Sequence, residues 1–299
     1  MFTSRERSLG KLVVERFRKR RAERINNLMV KEGAYWYDNF ITRTSLLEGL
    51  SLLIPGLKFG EDVNDFRDLG NSNYRALLRA LDKLDDHELQ FFKTFINSHF
   101  YVCHATNNPA IATKKDMVLF SRRKLIEQDI KFNTYNTAYV DIAGLANDDN
   151  VFFSLEIGAR PQKTIPGAGG SRFGNTYYKV AYTDPSFDFS SLYLFDQALM
   201  DIPQCKISDI SEEAKAILNS RKYTRKSICF YGRKSLPALA LSIISATRLL
   251  PERDRLVLLG CRTEKEKNEL LRYLFRIEIR VPRLVGIKHG GYYRFARKK

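Results

Sequence analysis

The chain predicts an α+β fold, a mixed-sheet core behind an N-terminal helical appendage, and three observations predict it. Short, aromatic-rich strand segments at 100–104, 137–142, 150–157, 177–182 and 193–195 lie together, with helical runs on either side. Apolar residues make up 44% of the 299, enough for a buried core. No strand-to-helix junction carries the glycine pattern of a dinucleotide fold, since Gly167, Gly169 and Gly170 precede no helical run. The expected organisation is a basic helical region over 1–71 and an α+β domain over 72–299.

The elements follow in order. Residues 9–31 form an amphipathic helix, with Leu12, Val13, Phe17, Ile25, Leu28 and Met29 set against Lys11, Arg16, Arg18, Lys19, Arg20, Arg21 and Arg24. Three readings fit it: a helix docked by its apolar stripe, a calmodulin-target-like helix for an acidic partner, or a contact with nucleic acid or a membrane surface. An apolar run from Leu46 stops at Pro55-Gly56. Residues 72–100 read as two helices, one with Tyr74, Leu77, Leu78 and Leu81 on a face, the next with Leu89, Phe92, Phe95 and Ile96. The glycine-rich stretch 166–174 reads as a loop. Ser211 opens a helix through Leu218, 228–231 reads as a strand, and 235–250 as an apolar helix. A strand is expected at 255–259 and a charged helix at 264–275. Arg276–Pro282 alternates apolar with charged residues, the pattern of a half-buried strand with Glu278 toward solvent. The basic tail from Arg294 is expected to fray.

Composition narrows the function. Fifty Lys and Arg against 34 Asp and Glu leave +16, which favours acidic partners such as nucleic acid, anionic lipid or an acidic protein. Much of the excess sits at the two ends of the chain, and nucleic acid is not the favoured partner. Cys103, Cys205, Cys229 and Cys261 lack metal-ligand spacing, so the reading is reduced, buried thiols with no metal site. No apolar run approaches the ~18 residues of a membrane span, and the first residues lack a secretory core.

The chemistry-bearing residues sit at strand ends. His104 and Thr106 close an apolar strand before an Asn107-Asn108-Pro109 turn, and Phe152-Phe153-Ser154-Leu155-Glu156 forms another. Only one of Phe152 and Phe153 can face a given side. Glu156 among apolar neighbours needs a strand edge or a partner such as Arg172. Transfer from NAD breaks an N-glycosidic bond through an oxocarbenium-like state. It needs a group on the ribose hydroxyls, an aromatic against the nicotinamide and a carboxylate, but no metal. A histidine-threonine strand and an aromatic-serine-glutamate strand supply those types. Asp148 and Asp149 form a polar turn just before the second strand, and Glu278 is the late carboxylate. A lone histidine after an apolar strand is, however, more often a hydrogen-bonded structural residue.

His104-Ala105-Thr106 with Val151-Phe152-Phe153-Ser154 is similar to the histidine and aromatic-serine strands of the histidine-type ADP-ribosyltransferases. The ordered series His104–Asn108, Leu145–Asp149, Val151–Gly158, Ser171–Gly174, Leu241–Ile244 and Val281–Arg283 resembles the catalytic module of the OspC/CopC family of type III secreted bacterial effectors. The resemblance implies an ADP-ribosyltransferase-like core that moves ADP-ribose from NAD to arginine of a host protein such as a caspase. It also implies ring closure with loss of ammonia (ADP-riboxanation), activation by calmodulin, here through residues 9–31, and a place of action in the host cytoplasm. Carried over, the catalytic residues are His104, Phe153, Asp148, Asp149 and Glu278, and NAD would touch His104, Thr106, Asn107, Phe153, Ser154 and Arg172. The ankyrin repeats that follow the module in that family are missing, so caspase choice is not implied. Transfer to another side chain, such as a threonine of ubiquitin, and a non-catalytic module that binds a host protein stay open.

Overall fold

The computed structural model describes residues 66–106, 116–137, 150–160, 173–174, 176–188, 190–197, 201–224, 227–282 and 284–296. Helices Phe66–Leu81 (α1) and Asp86–Ile96 (α2) come first. Asp85 caps α2 by accepting from the Glu88 N–H while Glu88 accepts from the Asp85 N–H, which satisfies two donors the helix start leaves over. Strands Phe100–Thr106 (β1) and Met117–Phe120 (β2) follow, then helix Arg122–Glu127 (α3) and strands Asn150–Ile157 (β3), Thr176–Ala181 (β4) and Ser191–Tyr193 (β5). The second half holds Glu212–Asn219 (α4), Cys229–Tyr231 (β6), Ser235–Thr247 (α5), Glu252–Leu259 (α6) and Glu264–Leu274 (α7). Strands Glu278–Pro282 (β7), Leu284–Ile287 (β8) and Tyr292–Ala296 (β9) complete it.

Seven strands form one sheet in the order β6-β5-β7-β3-β1-β4-β9, and β2 pairs with β8 in a second. This is an α+β fold, its strands visited out of order and paired antiparallel throughout. Period-two alternation gives the large sheet two faces. One is apolar: Phe100 and Val102 of β1, Phe153, Leu155 and Ile157 of β3, and Ile279 and Val281 of β7 are all buried. Phe95 of α2 meets Phe100 edge-on at 5.3 Å, and α5, apolar on nearly every side, is buried along most of its length. At the β6 end α1 comes very close: a side-chain carbon on Gly70 would stand 2.7 Å from the Tyr231 amide nitrogen. The opposite face carries Cys103, Ser154, Glu156, Lys179, Glu278 and Arg280.

Several expectations are corrected. Residues 255–259 belong to helix α6, not a strand; the short apolar run fits either period, and Asp254, Leu258 and Leu259 turn inward on one helical side. Strand β7 is not half-buried, because β5 and β3 flank it and both its faces are covered: Arg280 is only 2% exposed and Glu278 is half-buried. The tail does not fray from Arg294, since β9 pairs with β4 as far as Ala296. The strand expected at 193–195 is Ser191–Tyr193, and β2, α3 and β8 were not expected. The 71/72 boundary falls inside α1, whose Leu69 belongs to the core. The basic helix at 9–31, the run from Leu46, the strand beyond Thr137 and most of the glycine-rich loop lie outside the described residues.

Candidate active site

The sheet opens in its middle. Strands β1 and β3 pair from Phe100↔Ile157 to Cys103↔Ser154. Beyond that point β1 stays with β4 as far as Thr106↔Thr176, and β3 stays with β7 from Asn150↔Pro282. The amide of Gly158 donates to the carbonyl of His99, so backbone bonds recur at every second pair and Ala105 with Phe152 would be next. Instead the Phe152 carbonyl receives a hydrogen bond from His104 Nδ1 at 2.9 Å. The side chain of His104 thus replaces a rung of the ladder, and the two central strands part as a fork with the imidazole at its crotch.

A carbonyl only accepts, so His104 Nδ1 carries the proton. Burial lowers the imidazole pKa below its ordinary value, against the opposing pull of the Phe152 carbonyl. The ring is therefore neutral near pH 7, and its Nε2 is an acceptor. The Phe153 ring lies 5.5 Å from it on the same face, and Phe187 meets Phe153 edge-on at 5.2 Å. Phe153 is 3% exposed, so its ring is packing in this arrangement. Alternation puts Thr106 on the same side, at the end of one fork arm.

Across the sheet lies a polar row. Ser154, in the last pair before the fork, is exposed. Glu278 stands opposite it on β7, and its Oε2 takes two nitrogens of Arg280, at 2.6 and 3.3 Å. Arg280 also donates to Gln197 at 2.9 Å and lies 3.8 Å from the Tyr193 ring centre and 5.3 Å from that of Phe152. On the other side of Ser154, Lys179 of β4 donates to Glu156 at 2.6 Å and to the carbonyls of Gly158 and Arg160 at 3.0 Å. The Cys103 thiol beside this pair is pushed well above its ordinary pKa by burial and then by the Glu156 charge.

His104, Thr106 and Phe153 therefore come together on one face of the fork, and Ser154 with Glu278 on the other. Phe152 and Phe153 face opposite sides, as alternation required. Among the described residues, the partner of Glu156 is Lys179. Asn107, Asp148, Asp149 and Arg172 lie outside the described residues. Sequence reasoning passed over Lys179 and Arg280. Lys179 is a lone cation inside an apolar strand, and that was the available signal; Arg280 sits in a strand that alternates apolar with charged residues and gave none. No helix among the described residues is long and apolar enough to cross a membrane. No model of a known protein family matches the chain, and neither does any curated protein sequence.

Proposed function

We propose that the protein transfers ADP-ribose from NAD to a side chain of a host protein, as a secreted effector acting in the host cytoplasm. The observation that carries the reading is the fork, where a neutral histidine with a fixed tautomer stands beside an aromatic ring at an opening in the central sheet. In this scheme Nε2 of His104 accepts a hydrogen bond from a ribose hydroxyl. The N-glycosidic bond breaks with its electron pair leaving on nicotinamide, and the acceptor side chain attacks the oxocarbenium carbon and gives up a proton. With arginine as acceptor, a ribose oxygen then closes onto the guanidinium carbon and ammonia leaves. Stacking of nicotinamide on Phe153 requires the residues over that ring to move. Glu278 serves as the carboxylate only if the substrate reaches through the fork to the opposite face, and Glu278→Gln decides that point. The residues of 9–31 would take up calmodulin in the same scheme.

A second reading, a non-catalytic module that holds a host protein, is favoured by the burial of Phe153 and by the Arg280 grip on Glu278. One experiment separates the two. Host-cell lysate is incubated with the protein, NAD and calmodulin, beside His104→Ala, and its proteins are weighed intact. A gain of one ADP-ribose, or of that less one ammonia, absent with the variant, is the expected result. No NAD-dependent gain on any protein refutes the transferase and leaves the binding module.

A further inference from the structure

Of the ten large apolar side chains that stand exposed among the described residues, four come from the stretch 118–135. Val118, Ile126, Ile130 and Tyr135 are 46%, 54%, 37% and 93% exposed. The stretch begins on β2, where Met117 and Leu119 turn inward and Val118 outward. Val118 stands opposite Gly286, where an added side-chain carbon would meet nothing within 4 Å. Helix α3 follows, with Leu125 half-buried and Ile126 exposed. A surface helix ordinarily lays its apolar residues on the core; Ile126 of this one points away from it. The same stretch carries Arg122, Arg123, Lys124 and Lys131 against Glu127 and Asp129, with Lys124 held by Glu127 at 3.0 Å.

We propose that this edge of the molecule, from Val118 to Tyr135, rests on the surface of an anionic phospholipid bilayer. The apolar side chains come from four separate places: a strand, a helix, the segment after it and the 3-10 turn Thr134–Asn136. A protein partner needs a contiguous complementary surface of about 800 Å² per side. A bilayer interface accepts separate aliphatic insertions without shape matching and favours a tyrosine at headgroup depth. The bases around them, on a chain of net charge +16, match an anionic leaflet.

The test is sedimentation of the full chain with vesicles of phosphatidylcholine, alone or with about 30% phosphatidylserine, at about 0.1 M salt. The variant is Ile126→Asp with Ile130→Asp, both exposed positions, its fold checked by circular dichroism and melting. A second variant, Arg123→Glu with Lys131→Glu, tests the charge. The expected result is uptake by the serine-containing vesicles, weakened about tenfold or more by either variant, and little uptake by neutral vesicles. Wild-type protein that stays in the supernatant overturns the proposal. So does equal uptake of wild type and Ile126→Asp/Ile130→Asp, which would put the contact on other basic segments such as 9–31. Loss of a protein complex in the variant while vesicles take up neither form would assign the edge to a protein instead.

Discussion

Glu156→Gln should cost more than any single surface change, and the reason lies with its partner. Lys179 is 1% exposed, and its three ammonium protons go to Glu156 and the carbonyls of Gly158 and Arg160. Glutamine keeps the shape and one acceptor but removes the only counter-charge these contacts supply, leaving an ammonium in the protein interior. Breaking a buried pair on one side typically costs about 3–5 kcal/mol, and the 17% exposure of Glu156 argues for the lower end, about 3 kcal/mol. For a chain of 299 residues, with an unfolding entropy of about 0.6 kcal/mol/K, that is a fall in Tm of roughly 5 °C. Lys179→Met is the milder change, about 1–2 kcal/mol, since the carboxylate left behind keeps some water and the two carbonyls lose only a donor. The double variant should recover part of the Glu156→Gln loss, because no bare charge remains. Urea and thermal unfolding followed by circular dichroism at pH 7 read all four proteins. Glu156→Gln within about 1 kcal/mol of wild type, or Lys179→Met the more damaging of the two, refutes the burial asymmetry on which the argument stands.

His104 and the cysteines give two further tests. Burial depresses the His104 pKa in the folded state, so the unfolded chain binds the proton first as pH falls. Stability is therefore full above the unfolded value of about 6.5 and falls as pH drops from there toward the folded value. The stability difference between wild type and His104→Gln, followed by urea unfolding from pH 7.5 to 5.5, should move against wild type; a flat difference counts against a neutral ring with a lowered pKa. Using the difference cancels His87, His99 and His289. All four cysteines are buried, and burial pushes the Cys229 thiol up to about 12. Native protein should then resist iodoacetamide at pH 8 while denaturant exposes four reactive thiols, a count read by mass; fast native alkylation of Cys103 or Cys229 would contradict their placement.

How much was legible depends on whether a pattern had a single physical cause. The helix at Ser211 was readable because a capping serine has one use, and it accepts from the Ala214 N–H. The long apolar run of α5 was readable because only a buried helix of that length fits it. Alternation failed at β7, where Glu278 and Arg280 look like a solvent face yet pair with each other beneath neighbouring chain; two charges two residues apart on one strand face read the same whether they meet water or one another. The run at 255–259 was too short to separate periods. His104 and Phe153 were placed on one face by counting alternate positions, but the fork was not legible. It depends on which backbone carbonyl a side chain reaches, and that is fixed by strand register across 48 residues.

The fork is an opening held shut at one end, and the residues that shut it explain why it opens at the other. Past Ser154, β3 has lost β7 as a neighbour, and its exposed backbone edge is taken by Asn268 of α7. That amide accepts from the Ile157 N–H at 2.9 Å and donates to the Ile157 carbonyl at 2.8 Å, as a further strand would. Gly158, at φ 92°, turns the chain there and bonds to the His99 carbonyl, and Lys179 gathers the carbonyls of Gly158 and Arg160 from below. The Gly158 and Lys179 contacts tie the β6-β5-β7-β3 half to the β1-β4-β9 half at the Phe100–Ile157 end, while Asn268 ties helix α7 to β3. At the His104 end the seam is crossed by the His104–Phe152 hydrogen bond and the His104–Phe153 ring contact. His104, Thr106 and Phe153, which the proposed transferase assigns to the nucleotide, lie at that end.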